Sequence, residues 1–346
     1  MRVAIVGTDL CALDRRGGGL ERVVLRWAAH LAATEEVVLV SFIPGGRPLE
    51  PAPGDPDAVT VGRLADLGPA LRAIAPDVVS LHNRPHWSRH CPEHTRVAVT
   101  FHNFAPAWKV PASAWPSLVA GTRPLTLSAV SGALAREVSS RMAVPSTRVA
   151  VTPPSIDPAF IDAPGSDRGP VVLAPNRLLR KKGVQDLLAV ARRPEFAGVE
   201  FVFVDLISPW LAPTAEHRAL RAAVDSVPNA TLVPPAGSPA ELARWYASCG
   251  VVACPVRRPE GLGLVALEAQ ACRAPLVTTD MGGLREATFP PNRCIPPKSP
   301  RVLADALSEA LADPGSREEA RRRVLERHSS VASGQQFLRC VTEAVP

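Results

Sequence analysis

Short apolar runs alternate with stretches of helical spacing along most of the chain. Residues 3–7 read as a buried strand, and residues 20–33 set Val23, Val24, Trp27, Ala28 and Leu31 on one helical face. Further strands are predicted at 37–43, 59–61, 77–81, 96–101, 125–130 and 148–152, with helices at 64–74 and 132–142. Continuous Val, Ile and Leu strands separated by helices predict a parallel sheet covered on both faces. Residues 153–170 break this rhythm: Pro153, Pro154, Pro158, Pro164, Gly165, Gly169 and Pro170 leave little periodicity, the composition of a domain boundary. The pattern then restarts, with strands at 171–174, 200–205, 230–233, 251–254 and 275–278. Its helices are predicted at 183–191, 216–224, 239–247, 263–272, 300–312, 317–328 and 334–345. The expected class is α/β, with one doubly wound parallel-sheet domain over 1–160 and another over 161–330. In such sheets ligands bind at the carboxyl ends of the strands.

Composition narrows the function. The 346 residues suit two domains, and 46% hydrophobic with 21% charged residues excludes wholesale disorder. The 37 prolines are scattered without a period, which predicts many stiffened loops rather than one Pro-rich linker. Lys+Arg 39 against Asp+Glu 33 gives a net charge of +6, too mild to indicate nucleic acid, and no RNA-stacking consensus or zinc-finger spacing occurs. A small phosphorylated ligand suits the same charge. Arginine supplies nearly all the positive charge; lysine occurs only at Lys109, Lys181, Lys182 and Lys298, so the adjacent pair stands out. The 7 cysteines are widely spaced with no CxxC, the pattern of reduced thiols in a cytosolic protein. No apolar stretch approaches the length of a membrane span, and the first apolar run is too short for a signal segment, so a cytoplasmic protein is expected.

Three strings between a strand and a helix could carry chemistry. Arg15-Arg16-Gly17-Gly18-Gly19-Leu20-Glu21-Arg22 opens the first helix, where glycines allow close backbone approach and free amides favour an anion. Pro175-Asn176-Arg177-Leu178-Leu179-Arg180-Lys181-Lys182-Gly183 puts cations at a strand's carboxyl end, the chemistry of a diphosphate site. Pro259-Glu260-Gly261-Leu262-Gly263-Leu264-Val265-Ala266-Leu267-Glu268 sets two carboxylates around a glycine-bearing helix start, suited to sugar and ribose hydroxyls, and Met281-Gly282-Gly283-Leu284-Arg285-Glu286 follows. Taken singly, each also reads as an ordinary loop: flexible, solvated and basic, or capped by a glutamate.

Taken together, Glu260 to Glu268, Gly282-Gly283-Leu284-Arg285-Glu286, Arg177 to Lys182-Gly183 and the Gly18-Gly19 loop resemble the motifs of family 4 retaining glycosyltransferases, in order and spacing. The resemblance implies the GT-B fold, two facing Rossmann-like domains, with the helix at 331–346 crossing back to the first. It also implies a metal-independent transferase with no cofactor, whose co-substrate is a nucleotide-diphosphate sugar. By similarity Arg177 and Lys182 hold the donor diphosphate, Glu260 the sugar hydroxyls and Glu268 the ribose. Gly18, Gly19, Gly261, Leu262, Gly263 and Leu264 complete the donor site. His102 resembles the family's active-site histidine and, with Glu260, is the expected catalytic residue. Asn83, Arg84 and Asn103 are the expected residues for a small-molecule acceptor. The family's Phe between the two glycines is here Leu262, and its Gly-Asp-Gly after the second strand of this domain is Val204-Asp205-Leu206-Ile207. A nucleotide-sugar epimerase of the same fold, or an inactive sugar-nucleotide binder, would carry much the same strings.

Two further patterns compete. Asp55-Pro56-Asp57 has the form of a metal-binding DxD, but two carboxylates in a proline-rich loop make a poor site. His82, His86, His90 and His94 recur every four residues, yet Pro85 and Pro92 interrupt any helix that would align them for zinc. They read otherwise as surface-loop histidines or as the wall of an acceptor pocket. Phe104, Trp108 and Trp115 could line an acceptor site, touch a membrane or brace a rigid loop, though with Lys109 the only cation within 103–118 a basic membrane-binding helix is unsupported.

Overall fold

A computed structural model describes residues 1–8, 19–42, 56–105, 125–163, 168–204, 214–313 and 315–343. The chain divides into two compact units, one of Met1–Ser155 together with the stretch from Ser330, the other of Ile156–Ser329.

In the first unit, β1 (Arg2–Thr8) leads through α1 (Gly19–Leu31) to β2 (Glu36–Phe42) and β3 (Asp57–Val61). Then follow α2 (Leu67–Ile74), β4 (Val78–His82), β5 (Arg96–Phe101), β6 (Leu125–Ala129), α3 (Gly132–Met142) and β7 (Val149–Val151). The sheet order is β3-β2-β1-β4-β5-β6-β7, all parallel. Val3, Ala4, Ile5 and Val6 of β1 are wholly buried, as a central strand covered on both faces requires. The α1 face of Val23, Val24, Trp27, Ala28 and Leu31 packs inward. Ser131 caps α3 by accepting from the Leu134 amide at 3.1 Å.

The second unit opens with the short α4 (Pro158–Ile161), then β8 (Val171–Ala174), α5 (Val184–Ala191), β9 (Glu200–Val204), α6 (Ala215–Asp225) and β10 (Ala230–Val233). It continues through α7 (Pro239–Ser248), β11 (Val251–Cys254), α8 (Leu264–Ala271), β12 (Leu276–Thr279), α9 (Leu284–Ala287), β13 (Arg293–Ile295), α10 (Pro300–Ala312) and α11 (Glu318–His328). Strand order is β10-β9-β8-β11-β12-β13, again all parallel. Its core joins Phe196, Phe201 and Phe203 to the inner faces of α5 and α10. In both units the order reverses beside the first strand, at β1/β4 and at β8/β11. At such a switch point the crossovers diverge and leave a crevice.

The last helix, α12 (Ser330–Thr342), belongs to the first unit. It begins four residues before the expected 334, because Ser329 is extended and the chain turns helical directly after it. Phe337 stacks on Trp27 of α1 at 4.5 Å and 10°. The Trp27 indole N–H donates to Ser333 Oγ at 2.7 Å, and Ser333 donates on to the Pro153 carbonyl at 2.6 Å. Gly334 leaves no room for a Cβ against the His30 ring. The helix expected over 64–74 begins as a 3-10 turn at residues 64–66 ahead of α2, and β13, a strand of only three residues at the edge of the second sheet, was not expected.

Phe337 is wholly buried on a ring face, so Phe337→Ala is expected to cost about 3–5 kcal/mol of first-unit stability in urea or thermal denaturation. A loss below about 1 kcal/mol would mean that this helix contributes little to the unit.

Candidate active site

The strings singled out in the second half meet at the carboxyl ends of β8, β11 and β12. After β8 the chain runs through Arg177 to a single 3-10 turn, Arg180–Lys182, and then to Gly183. Gly183 has φ +77°, and a Cβ there would be driven into the Pro255 carbonyl oxygen. Only glycine lets the loop after β8 lie against the loop after β11. The two loops are then fastened. The Arg257 amide donates to the Lys181 carbonyl at 2.8 Å. The Arg257 guanidinium grips buried Asp186 of α5 with two bonds of 2.8 and 2.5 Å.

Between these loops Lys182 Nζ donates to Glu260 Oε1 at 2.9 Å, with side chains 13% and 25% exposed. Glu260 is in turn bridged to Gly282 after β12, and its carbonyl accepts from the Gly283 amide at 2.9 Å. Gly263, at φ +100°, opens α8; a Cβ there would strike the Leu284 side chain. No side chain caps this helix start, so the Leu264 end of α8 presents backbone amides, the arrangement that favours an anion. Arg177 is exposed, and among the described residues its guanidinium has no ion-pair partner.

Gly261 and Leu262 are buried beneath this surface. Glu268 lies in α8, only 3% exposed, and accepts from the hydroxyl of Tyr246, the chain's single tyrosine, at 3.1 Å. Sequence reasoning did not find Tyr246, Asp186 or Arg257. A lone tyrosine in an amphipathic helix gives no signal until tertiary packing brings it to Glu268. Burial pushes the thiol of Cys254, at the end of β11, up to about 11 against the opposing pull of Lys182, which leaves it an unreactive packing residue.

The first unit carries its own group of polar residues at the ends of β4 and β5. His82 is the last residue of β4, paired in register with Thr100. Its Nδ1 lies 2.9 Å from Nε2 of His102, and its Nε2 lies 3.4 Å from Ser80 Oγ. Asn83 adopts φ +56° and accepts on Oδ1 from the amides of His102 at 2.8 Å and Asn103 at 3.4 Å. It therefore shapes the turn that joins the two strand ends. The Arg84 guanidinium lies over the Trp87 ring at 5.9 Å and donates to the Asn83 carbonyl at 3.0 Å, while Asn103 is exposed.

Of the four spaced histidines, His94 is exposed and His86 and His90 are partly buried, whereas His82 is not a surface residue. His82 is fully buried because β4 extends one residue past its apolar run, and Pro85–His90 forms a 3-10 turn. His86 is half-buried and pushed down to about 4, mainly by desolvation and then by the nearby Arg84 and Arg89. Among the described residues no three His, Cys, Asp or Glu side chains gather as a metal site. Gly18, Asp55, Trp108, Trp115 and the 205–207 segment lie outside the described residues, whereas Gly19 is the first residue of α1.

Two parallel doubly wound units with glycine-bearing, charged loops at a switch point define an α/β class that binds ligands at the carboxyl ends of its strands. Sequence profiles narrow it further: "Glycosyltransferase Family 4" matches residues 17–160 and "Glycosyl transferases group 1" matches residues 158–327. The chain belongs to this glycosyltransferase family. It is similar to D-inositol 3-phosphate glycosyltransferase of Paenarthrobacter aurescens (33% identity over 54% of this chain and 49% of that protein). A protein of the same name from Pseudarthrobacter chlorophenolicus is 34% identical over 45% of this chain and 39% of that one. The chain thus spans about half the length of the curated relatives it matches. Among solved structures, a glycosyltransferase from Rickettsia africae aligns over 99% of this chain and 98% of its own, with TM-score 0.82 at 16% identity. Anabaena Alr3699/HepE, solved in complex with UDP and glucose, aligns over 99% of both chains with TM-score 0.76 at 15% identity. The fold is GT-B. No helix among the described residues is long and apolar enough to cross a membrane.

Burial pushes the His102 imidazole down to about 3, and burial followed by the neighbouring His102 holds His82 well below its ordinary value of 6.5. Both rings are neutral at physiological pH. A depressed histidine favours the fold fully above the unfolded value of 6.5, and that contribution is lost as pH falls toward about 3. Thermal denaturation at about pH 7 and about pH 4 is expected to show a smaller acid loss in His102→Phe than in the wild type. Equal losses would uncouple this ring from acid stability.

Proposed function

We propose that the protein transfers a sugar from a nucleotide-diphosphate sugar to a small polar acceptor, with retention at the anomeric carbon and no metal cofactor. The observation that carries this reading is the 2.9 Å pairing of Lys182 with Glu260. A diphosphate-linked sugar needs a cation for its phosphates and a hydroxyl-binding carboxylate within one bond's reach of each other. A donor would separate the pair, with Lys182 turning to phosphate oxygens and Glu260 to sugar hydroxyls. Arg177 and the leading amides of α8, at Gly263 and Leu264, add to the field that receives the departing diphosphate.

In this reading the bond from the anomeric carbon to the diphosphate oxygen breaks, and the bond to the acceptor oxygen forms on the same face. The released phosphate oxygen takes the acceptor's proton, so charge balances without an enzyme nucleophile. Positive side chains and helix amides do the work a divalent cation does elsewhere. Glu268 is the group for the ribose, His102 is the catalytic group together with Glu260, and Arg84 and Asn103 serve the acceptor with Asn83 holding their turn. The Anabaena neighbour's complex with UDP and glucose supports a nucleotide-sugar donor. The similar inositol-phosphate enzymes support a small hydroxylated acceptor, of the natural-product or envelope-precursor kind.

Incubation with a panel of nucleotide sugars is expected to release nucleotide only when an acceptor is present. An altered donor sugar without acceptor would assign an epimerase instead, and binding without turnover an inactive binder. Lys182→Ala is expected to lower turnover by about 10²-fold or more, as loss of one charge-stabilising donor does; near-normal turnover would remove Lys182 from the diphosphate. Glu260→Ala is expected to impair transfer far more than affinity for the free nucleotide by calorimetry, and equal losses would move Glu260 off the sugar.

A further inference from the structure

We propose that His82 is a positioning residue for the reaction: through the Nδ1–Nε2 hydrogen bond it fixes the ring of His102 so that only Nδ1 of His102 faces a ligand. This rests on the reading of His102 as a catalytic group.

Two imidazoles 2.9 Å apart, nitrogen to nitrogen, must share one proton between those atoms. If both nitrogens carried a proton they would clash, and if neither did, two buried lone pairs would face each other unpaired. The proton state of one ring therefore determines that of the other. His102 Nε2 is engaged, which leaves Nδ1 as its one remaining ring nitrogen. His82 cannot readily turn away. Its far nitrogen is directed at Ser80 Oγ, and it is buried at the end of a strand whose other residues are buried too.

The packing around the pair has the same effect. Trp27 lies 5.5 Å from the His102 ring and 6.2 Å from the His82 ring. Phe337 of α12 lies 6.0 Å from His82 and stacks on Trp27. The His102 amide is held independently by Asn83 Oδ1 at 2.8 Å. The backbone, the Nε2 edge and the packing of the His102 ring are thus each held by a different residue. Of these, only His82 also ties the tautomer of His102 to that of a second buried ring. That is what a side chain meeting a sugar hydroxyl needs, since a misplaced donor costs rate rather than affinity.

The test is nitrogen-15 NMR of histidine-labelled protein together with steady-state transfer kinetics on wild type, His82→Leu and His82→Asn. Wild type is expected to show coupling through the hydrogen bond between His82 Nδ1 and His102 Nε2. His82→Leu is expected to alter the tautomer population of His102 and to lower kcat by about 10- to 100-fold while the donor KM changes little. Asn places a nitrogen or an oxygen near the position of His Nδ1, so His82→Asn is expected to return kcat to within a few-fold of wild type. Absence of the coupling in wild type would overturn the proposal whether or not the variants fold. So would an unchanged His102 tautomer and kcat in His82→Leu, or an Asn variant no better than Leu. Absence of any transfer by the wild type would instead overturn the proposed function, and the NMR result would still judge the pairing.

Discussion

The second unit's candidate site depends on one close approach, the loop after β8 lying against the loop after β11. Gly183 makes it possible, because any Cβ would enter the Pro255 carbonyl. Once the loops touch, the other contacts follow from short range. The Arg257 amide reaches the Lys181 carbonyl, its guanidinium reaches Asp186, and Lys182 reaches Glu260. A buried carboxylate such as Asp186 is tolerable only when paired, so the same contact that fastens the loops also satisfies the charge. The Lys182–Glu260 pair differs in being partly exposed. A pair that still reaches solvent on one side can be opened by a ligand that replaces both partners.

The first unit solves a different problem at its own strand ends. Two histidines are buried among aromatic rings, where a charged imidazole would be costly. They pair with each other instead, and the neutral pair packs against Trp27, which is held by Ser333 and Phe337 from the far end of the chain. The C-terminal helix is therefore part of what fixes the rings, not an appendage to the unit. Residues separated by 306 positions meet in the Trp27–Ser333 bond.

Much of this was legible in the residue pattern. The strands at 96–101, 171–174, 230–233 and 251–254 and the helices at 132–142 and 300–312 have the bounds their apolar periodicity predicts. Elements of this kind are determined locally, by a burial face and a cap such as Ser131. The strings Arg177 to Gly183 and Glu260 to Gly263 were also visible, because their order and spacing together, rather than either string alone, set them apart from ordinary loops. Less legible were β13, three residues with an arginine at its start, and His82, a polar residue inside a buried strand. Neither carries a periodic signal of its own; each is created by a neighbour, β12 for the one and His102 for the other.

The sequence by itself determined the class of fold, two parallel doubly wound sheets, and the chemistry available at the ends of their strands. It did so because the apolar period and the glycine positions act over a few residues at a time. Only the tertiary structure decided which charges and rings are partners: Lys182 with Glu260, Glu268 with Tyr246, His82 with His102. Such pairings join residues 20 to 78 positions apart, and their geometry comes from strand order and loop contact, which no local pattern encodes.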